Sequence, residues 1–215
     1  MIDAPEIRNG HLFVGLDLSL TSTGIAFVMR GGPNLVDRAA MTLSPPKGVK
    51  GVKRLGWHRD HIVGEVFNHA CAPSPRDVLV VVEGYAAQAK FRAHQIGELG
   101  GVIRLALDEN YIPFTIIAPT VLKKFVTGKG NAPKSLVLKY LLSYFGADVD
   151  QDDAGDAMGL ALYGAYLVGG YSGLSMARQD SFKTAELPHA ASHLTARTIP
   201  LEAPPRRRIR PTKDS

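Results

Sequence analysis

The chain has 215 residues, 45% of them hydrophobic and 21% charged, which suits one domain of ordinary size with a packed core. No run of about 18 apolar residues would cross a membrane, no signal-peptide pattern opens the sequence, and the single cysteine excludes an internal disulfide, so we expect a cytoplasmic protein. The net charge is +5, but overall charge alone is weak support for a nucleic-acid partner.

The first part of the sequence predicts three antiparallel strands. Residues 11–17 are a short apolar run that ends in Asp17 and is typical of a buried strand. Two further strands are predicted over 25–29 and 35–43, and short connections of this kind join antiparallel strands. A carboxylate that ends an apolar strand is costly to bury unless a positive group meets it.

A basic loop and an amphipathic helix come next. Residues 44–54 contain four cations and no acid, which leaves a solvated loop and a phosphate contact as open alternatives. Apolar residues recur at helical spacing over 55–70 and predict a helix. Because no cluster of Cys or further His accompanies them, we expect packing or surface roles rather than zinc binding for four side chains of this helix: Trp57, His58, His61 and His69.

The second half of the sequence alternates strands with helices. The apolar run 78–82 predicts a central strand buried on both faces, and Glu83 ends it. Five more segments follow: a helix over 88–110, a strand over 114–118, a short helix opened by Pro119, a helix capped by Asn131 and ended by Gly146, and a nearly all-apolar helix over 152–168. The order predicts an α/β fold, a mixed sheet with helices on its faces. Periodicity then fades, so residues 171–215 are predicted to form a basic, disordered tail.

Four carboxylates are predicted to meet at one edge of the sheet. Asp17 and Glu83 end two strands, and Asp153 and Asp156 share one face of the last helix near its start. Each has an ordinary alternative, such as a helix cap for Asp153. Together, however, four carboxylates without cations would repel one another and protonate. The set therefore predicts a site for two Mg²⁺ ions, with Mn²⁺ as a substitute, that hydrolyses phosphodiester bonds.

A lysine-rich stretch precedes the acidic helix. A loop containing Gly128 and Gly130 leads into a helix N-terminus, where backbone N–H groups can bind anions. Four cations surround this loop: Lys123, Lys124, Lys129 and Lys134. Such loops are commonly only solvated, but beside an acidic metal site they predict contacts with a polyanion.

These residues resemble the RuvC family of Holliday-junction resolvases, within the ribonuclease H-like superfamily. The resemblance covers roughly residues 11–170 and rests on three motifs: Gly15-Leu16-Asp17 with Thr23-Gly24, Val82-Glu83, and Asp153-Ala154-Gly155-Asp156-Ala157. It implies a five-stranded nuclease domain over residues 1–170. It also implies metal ligation by the four acids, DNA contacts by Lys123 and Lys134, and a homodimer that nicks a four-way junction.

One position departs from the family pattern. Ala86 stands three residues after the strand glutamate, where the family usually has an aromatic residue, and Tyr85 or Phe91 are the candidates to replace it against DNA. The departure suits a divergent, phage-encoded member and leaves junction preference open. Two other functions stay open: a flap or fork endonuclease with the same metal chemistry, and an actin-like ATP-binding module, which would need a second similar domain.

Overall fold

The computed structural model describes residues 11–31, 34–70, 77–84, 93–171 and 173–188, with residues 191, 194 and 201. The single cysteine, Cys71, lies outside the described part, as do Tyr85, Ala86 and Phe91 and most of the predicted tail beyond residue 188. None of the helices in the described ranges is long and apolar enough to cross a membrane.

Five strands form one sheet in the order β3-β2-β1-β4-β5. Three strands make an antiparallel meander: β1 (His11–Asp17), β2 (Thr23–Gly31) and β3 (Asn34–Leu43). The other two run parallel to β1: β4 (Val78–Glu83) and β5 (Phe114–Ile117). The predicted mixed five-stranded sheet is confirmed. β2 begins two residues earlier than expected, because Thr23 and Gly24 also pair with β3.

Helices cover both faces of this sheet. In the described residues they are α1 (Gly51–His69), α2 (Ala93–Glu109), α3 (Pro119–Thr127), α4 (Lys134–Phe145), α5 (Asp152–Gly169) and α6 (Met176–Gln179). α1 begins four residues before the predicted start, so part of the basic loop belongs to the helix. The prediction that Asn131 caps α4 is wrong, because Pro133 is the N-cap residue. Proline has no backbone N–H, but the N–H groups at the start of a helix have no hydrogen-bond partner within the helix, so none is lost here.

The alternation of side chains along β1 and β4 decides where the two strand-end acids lie. Successive residues of a strand point to opposite faces. Phe13 of β1 and Leu79 and Val81 of β4 belong to the core shared with α3, α4 and α5, whereas their neighbours belong to the core under α1 and α2. By the same alternation Asp17 and Glu83 lie on the α5 face.

Two glycines let α5 lie directly on the sheet. A Cβ atom on Gly15 would overlap the carbonyl oxygen of Ala157, and one on Gly24 would overlap the carbonyl oxygen of Asp153. A glycine inside a strand often marks such a close approach of another backbone. Because Gly24 pairs with Asp17 across β1 and β2, the contact holds the first turn of α5 beside Asp17.

The prediction of a disordered tail from residue 171 is wrong for residues 173–188. Leu174 and Phe182 are buried in the core formed by α3, α4 and α5. The ring of Phe182 stacks on Tyr163 of α5, with the ring centroids 4.5 Å apart. Single apolar side chains separated by polar residues make these contacts, so the sequence shows no period that would indicate them.

Candidate metal centre

Asp17 and Glu83 leave the sheet side by side. β1 and β4 are parallel neighbours with Leu16 opposite Val82, so the residues that follow are adjacent. The two carboxyl groups share a hydrogen bond. Burial raises the pKa of both carboxyls, and the charge of Asp17 raises the pKa of Glu83 further. The pair therefore favours keeping one proton between its two carboxyls over ionising both.

Asp153 and Asp156 reach the same place from α5. Asp156 is only 7% exposed, and burial raises the pKa of its carboxyl, an effect that Lys134 opposes. The charges of Asp156 and Asp153 both raise the pKa of Asp17. All four predicted acids thus interact electrostatically at one edge of the sheet.

Two lysines face this acidic cluster. Lys134, the first residue of α4, places Nζ 3.3 Å from Oδ2 of Asp156. Although burial acts to lower it, the pKa of Lys134 is raised by Asp156. Lys123 of α3 also acts on the cluster, since its charge lowers the pKa of Asp156. These are the two lysines for which the sequence resemblance implied DNA contacts.

The two other predicted lysines have different surroundings. Nζ of Lys124 lies 3.5 Å from Oδ2 of Asp180, which belongs to the chain beyond α6. Lys129 is exposed in the connection between α3 and α4. Of the four lysines, Lys129 therefore presents its charge to solvent, whereas Lys124 meets a carboxylate of its own chain.

Thr127 organises the connection between α3 and α4, a role that the sequence did not predict. Its hydroxyl donates to the carbonyl oxygen of Lys123 at 2.8 Å and accepts from the N–H of Lys129 at 3.1 Å. Gly128 then adopts a left-handed conformation with φ of 84° and ends the helix. A threonine directly before a helix-ending glycine is the only signal for this arrangement in the sequence.

The donors of the acidic cluster are all oxygen atoms. Within the described ranges, no three His, Cys, Asp or Glu side chains converge closely enough to hold a metal ion as they stand. Asp17 and Glu83 are joined by a hydrogen bond and Asp156 is paired with Lys134, so a metal ion would have to take the place of these contacts. The raised pKa values of Asp17, Glu83 and Asp156 fit a hard divalent cation, because such a cation favours their ionised forms.

The turn after Asp17 is tied to α1 through His58. The hydroxyl of Thr23 donates to the carbonyl oxygen of Ser19 at 2.7 Å and closes the turn. His58, which is fully buried, places Nε2 3.3 Å from the carbonyl oxygen of Leu20 and Nδ1 3.4 Å from the Thr23 hydroxyl. A carbonyl only accepts, so Nε2–H donates to Leu20, and Nδ1 of the neutral ring is an acceptor. The proton of the Thr23 hydroxyl is therefore shared between the carbonyl of Ser19 and Nδ1 of His58.

The other rings of α1 have the packing roles that we predicted. His61 stacks on Trp57 with the ring centroids 3.9 Å apart, and His69 stacks on Phe27 at 3.8 Å.

The buried His58 predicts a loss of stability in acid. Burial lowers its pKa below the usual 6.5, a shift that Arg54 and His61 reinforce and the bond to Leu20 opposes. As the pH falls below 6.5 the unfolded ring gains a proton before the folded ring does, so this contribution to stability decreases. We expect the urea concentration at the midpoint of unfolding to decrease when the pH is lowered from about 7.5 to about 5.5, and to decrease less in His58→Gln than in the unmodified protein.

The exposed His94 of α2 supplies the control for this experiment, because it does not act on His58. His94→Gln should lose as much stability in acid as the unmodified protein does. An equal loss in all three proteins would show that His58 does not cause the effect.

Comparison with known sequences identifies the family. The sequence model described as crossover junction endodeoxyribonuclease RuvC matches residues 13–163. The chain belongs to the RuvC family. It is 33% identical over 160 residues to RuvC of Rhodopirellula baltica, a match that covers 72% of this chain and 85% of that one. It is 28% identical over 159 residues to RuvC of Carboxydothermus hydrogenoformans, a match that covers 73% of this chain and 97% of that one.

A solved structure shows the same fold. Thermus thermophilus RuvC in complex with a Holliday junction substrate superimposes with a TM-score of 0.58 at 19% identity, over 80% of this chain and 97% of that one. The RuvC family match contains all four acids and ends at residue 163, so residues 173–188 lie beyond it. The predicted family and ribonuclease H-like fold are confirmed.

Proposed function

We propose that this RuvC-family protein is a metal-dependent, structure-specific DNA endonuclease that nicks Holliday junctions and related branched DNA. The observation that carries the proposal is the meeting of four carboxylates from β1, β4 and α5 beside Lys134. Relatives named crossover junction endodeoxyribonucleases support it, as does the Thermus thermophilus protein in complex with a Holliday junction.

The metal in this proposal is Mg²⁺, for which Mn²⁺ can substitute, and its ligands are Asp17, Glu83, Asp153 and Asp156. Bound divalent ions supply activation of water and stabilisation of the leaving oxygen in phosphodiester hydrolysis. The chain's own contribution is to hold the four carboxylates at one sheet edge and to give up the proton that Asp17 and Glu83 share.

The lysines near the cluster are proposed to hold the phosphate backbone. Without them the acidic edge would repel DNA, so cations beside the carboxylates are needed to bring a phosphodiester there. The interaction of Lys123 and Lys134 with Asp156 supports this role for them, and the exposure of Lys129 supports it for that residue. Tyr85 and Phe91, which lie outside the described residues, stay predicted as DNA contacts in place of the aromatic residue usual in the family.

A homodimer that acts in the cytoplasm completes the proposal. A four-way junction has two-fold symmetry, and two copies of the chain would present two sites that nick opposed strands. A flap or fork endonuclease is the second candidate, because Ala86 lacks the bulk that would open a junction firmly. The family match disfavours an actin-like ATP-binding module.

The choice of metal tests the proposal. Cleavage of a four-way junction should require Mg²⁺ or Mn²⁺, since all the proposed ligands are oxygen atoms. Ca²⁺ is larger and has looser geometry, so it should support DNA binding without efficient cleavage. Cleavage is measured on denaturing gels after addition of each metal to chelator-treated protein. Full activity in excess chelator, or a requirement for zinc, would contradict the proposal.

A further inference from the structure

Residues 173–188, here called the C-terminal segment, are anchored to the end of α3 by Arg178. The guanidinium is only 7% exposed. Its Nε and Nη2 atoms donate to the carbonyl oxygen of Val126 at 3.3 and 3.1 Å, and its Nη1 atom lies 3.2 Å from the hydroxyl of Ser175. A cation bonded to one of the last carbonyls of a helix satisfies that group and interacts well with the helix dipole.

The same guanidinium also contacts α4. Its Cζ atom lies 3.9 Å from the ring centroid of Tyr144 and 5.2 Å from that of Tyr140. A cation over an aromatic face is attracted by the ring, most strongly where water is excluded. Arg178 therefore links the end of α3 to α4, the two helices that flank the connection containing Lys129.

A second contact of the C-terminal segment involves Lys124 and sets the rotation of α3. Asp180 pairs with Lys124 at 3.5 Å, and Ala177 lies against Gly128, where an added Cβ would be 3.7 Å away. Neighbouring residues of a helix point in different directions. Holding Lys124 toward Asp180 therefore helps to keep Lys123 turned toward the acidic cluster.

We propose that the C-terminal segment positions the connection between α3 and α4 for DNA binding. Arg178 is a positioning residue that ties the end of α3, where this connection begins, to the last turns of α4, and Asp180 keeps Lys124 from contacting phosphate. The DNA part of this inference rests on the function proposed above. The structural part, the ordering of residues 128–132, does not.

Hydrogen exchange without DNA tests the structural part. Arg178→Met keeps most of the aliphatic stem but loses every donor, so the amides of residues 128–132 should exchange about tenfold faster. Lys183→Met removes a cation from the same segment that bonds to Asp180 rather than to α3, and it should leave these amides unchanged. The proposal would be overturned if Arg178→Met left the exchange rates of residues 128–132 unchanged. It would also be overturned if the amides of α2, on the other face of the sheet, exchanged faster by the same factor.

DNA binding and cleavage by the same variants separate positioning from catalysis. With Ca²⁺ present, Arg178→Met should raise the Kd for a four-way junction about tenfold, while the single-turnover rate at saturating protein stays within about twofold. A loss in rate without a loss in affinity would contradict a positioning role. If the unmodified protein neither binds nor cuts a junction, the proposed function fails, and hydrogen exchange still decides the structural part.

The role of Asp180 is tested through the salt dependence of binding. In a Lys183→Met background, Asp180→Asn frees Lys124 without also freeing Lys183, the other lysine that pairs with Asp180. The slope of log affinity against log salt should then become steeper by about 0.9, for one further phosphate contact. Glu186→Gln in the same background is the matched control, because it removes the same charge from an exposed position of the same segment. Equal slopes in the two variants would overturn the role of Asp180.

Discussion

Asp17→Asn is expected to lower the rate of DNA cleavage by about a hundredfold or more while leaving DNA binding largely intact. The substitution removes one charged oxygen ligand from the proposed metal site but keeps the size of the side chain. Single-turnover cleavage of a four-way junction in Mg²⁺ measures the rate, and binding in Ca²⁺ measures the affinity.

Stability separates this loss from misfolding. Asp17 is a half-buried carboxylate whose pKa is raised by desolvation and by the charges of Asp156 and Asp153, so removal of its charge should leave the Tm unchanged or raise it. Asp148→Asn, at an exposed position of the connection before α5, should cut at the normal rate. An Asp17→Asn protein as active as this control would show that Asp17 is not a metal ligand.

Gly24→Ala is expected to destabilise the protein by about 1–3 kcal/mol and to reduce cleavage strongly. The added Cβ would overlap the backbone carbonyl of Asp153, and backbone cannot move aside as the end of a flexible side chain can. The first turn of α5 must therefore shift away from β2, which carries Asp153 away from Asp17. Urea unfolding and single-turnover cleavage measure the two effects.

Gly64→Ala is the matched control for this substitution. Gly64 lies within α1 and has open space where a Cβ would be added. Alanine is a better helix former than glycine, so the free energy of unfolding of this variant should rise by about 0.5–1 kcal/mol. Its rate of DNA cleavage should be normal. If Gly24→Ala is as stable and as active as Gly64→Ala, close contact between α5 and β2 does not hold the site together.

The sheet and the acidic cluster could be predicted because their signals are local. Each strand is a short apolar run, and two of these runs end in Asp17 and Glu83. The helix between β3 and β4 makes β4 parallel to β1. The predicted topology allowed these two strands to be neighbours, and their observed pairing brings the strand ends to one edge. The three-residue spacing of Asp153 and Asp156 places both on one helix face.

The C-terminal segment and the pairing of Lys124 could not be predicted because they depend on contacts distant in sequence. Phe182 packs on Tyr163, and Arg178 bonds to Val126. No helical or strand period marks these residues, and arginine is commonly a surface residue. The sequence therefore indicated a basic tail where the structure has a packed segment. It also grouped Lys124 with Lys123, although of these two lysines it is Lys123 whose charge acts on the acidic cluster.

The central claim is that this protein cuts branched DNA selectively, and side-by-side cleavage tests it most directly. A four-way junction, a flap, a fork and a linear duplex of matched sequence are incubated with the protein and Mg²⁺, and initial rates are compared. We predict paired nicks near the centre of the four-way junction at a rate about a hundredfold above that of linear duplex, with slower cutting of the flap and fork. A linear duplex cut as fast as the junction would contradict the account.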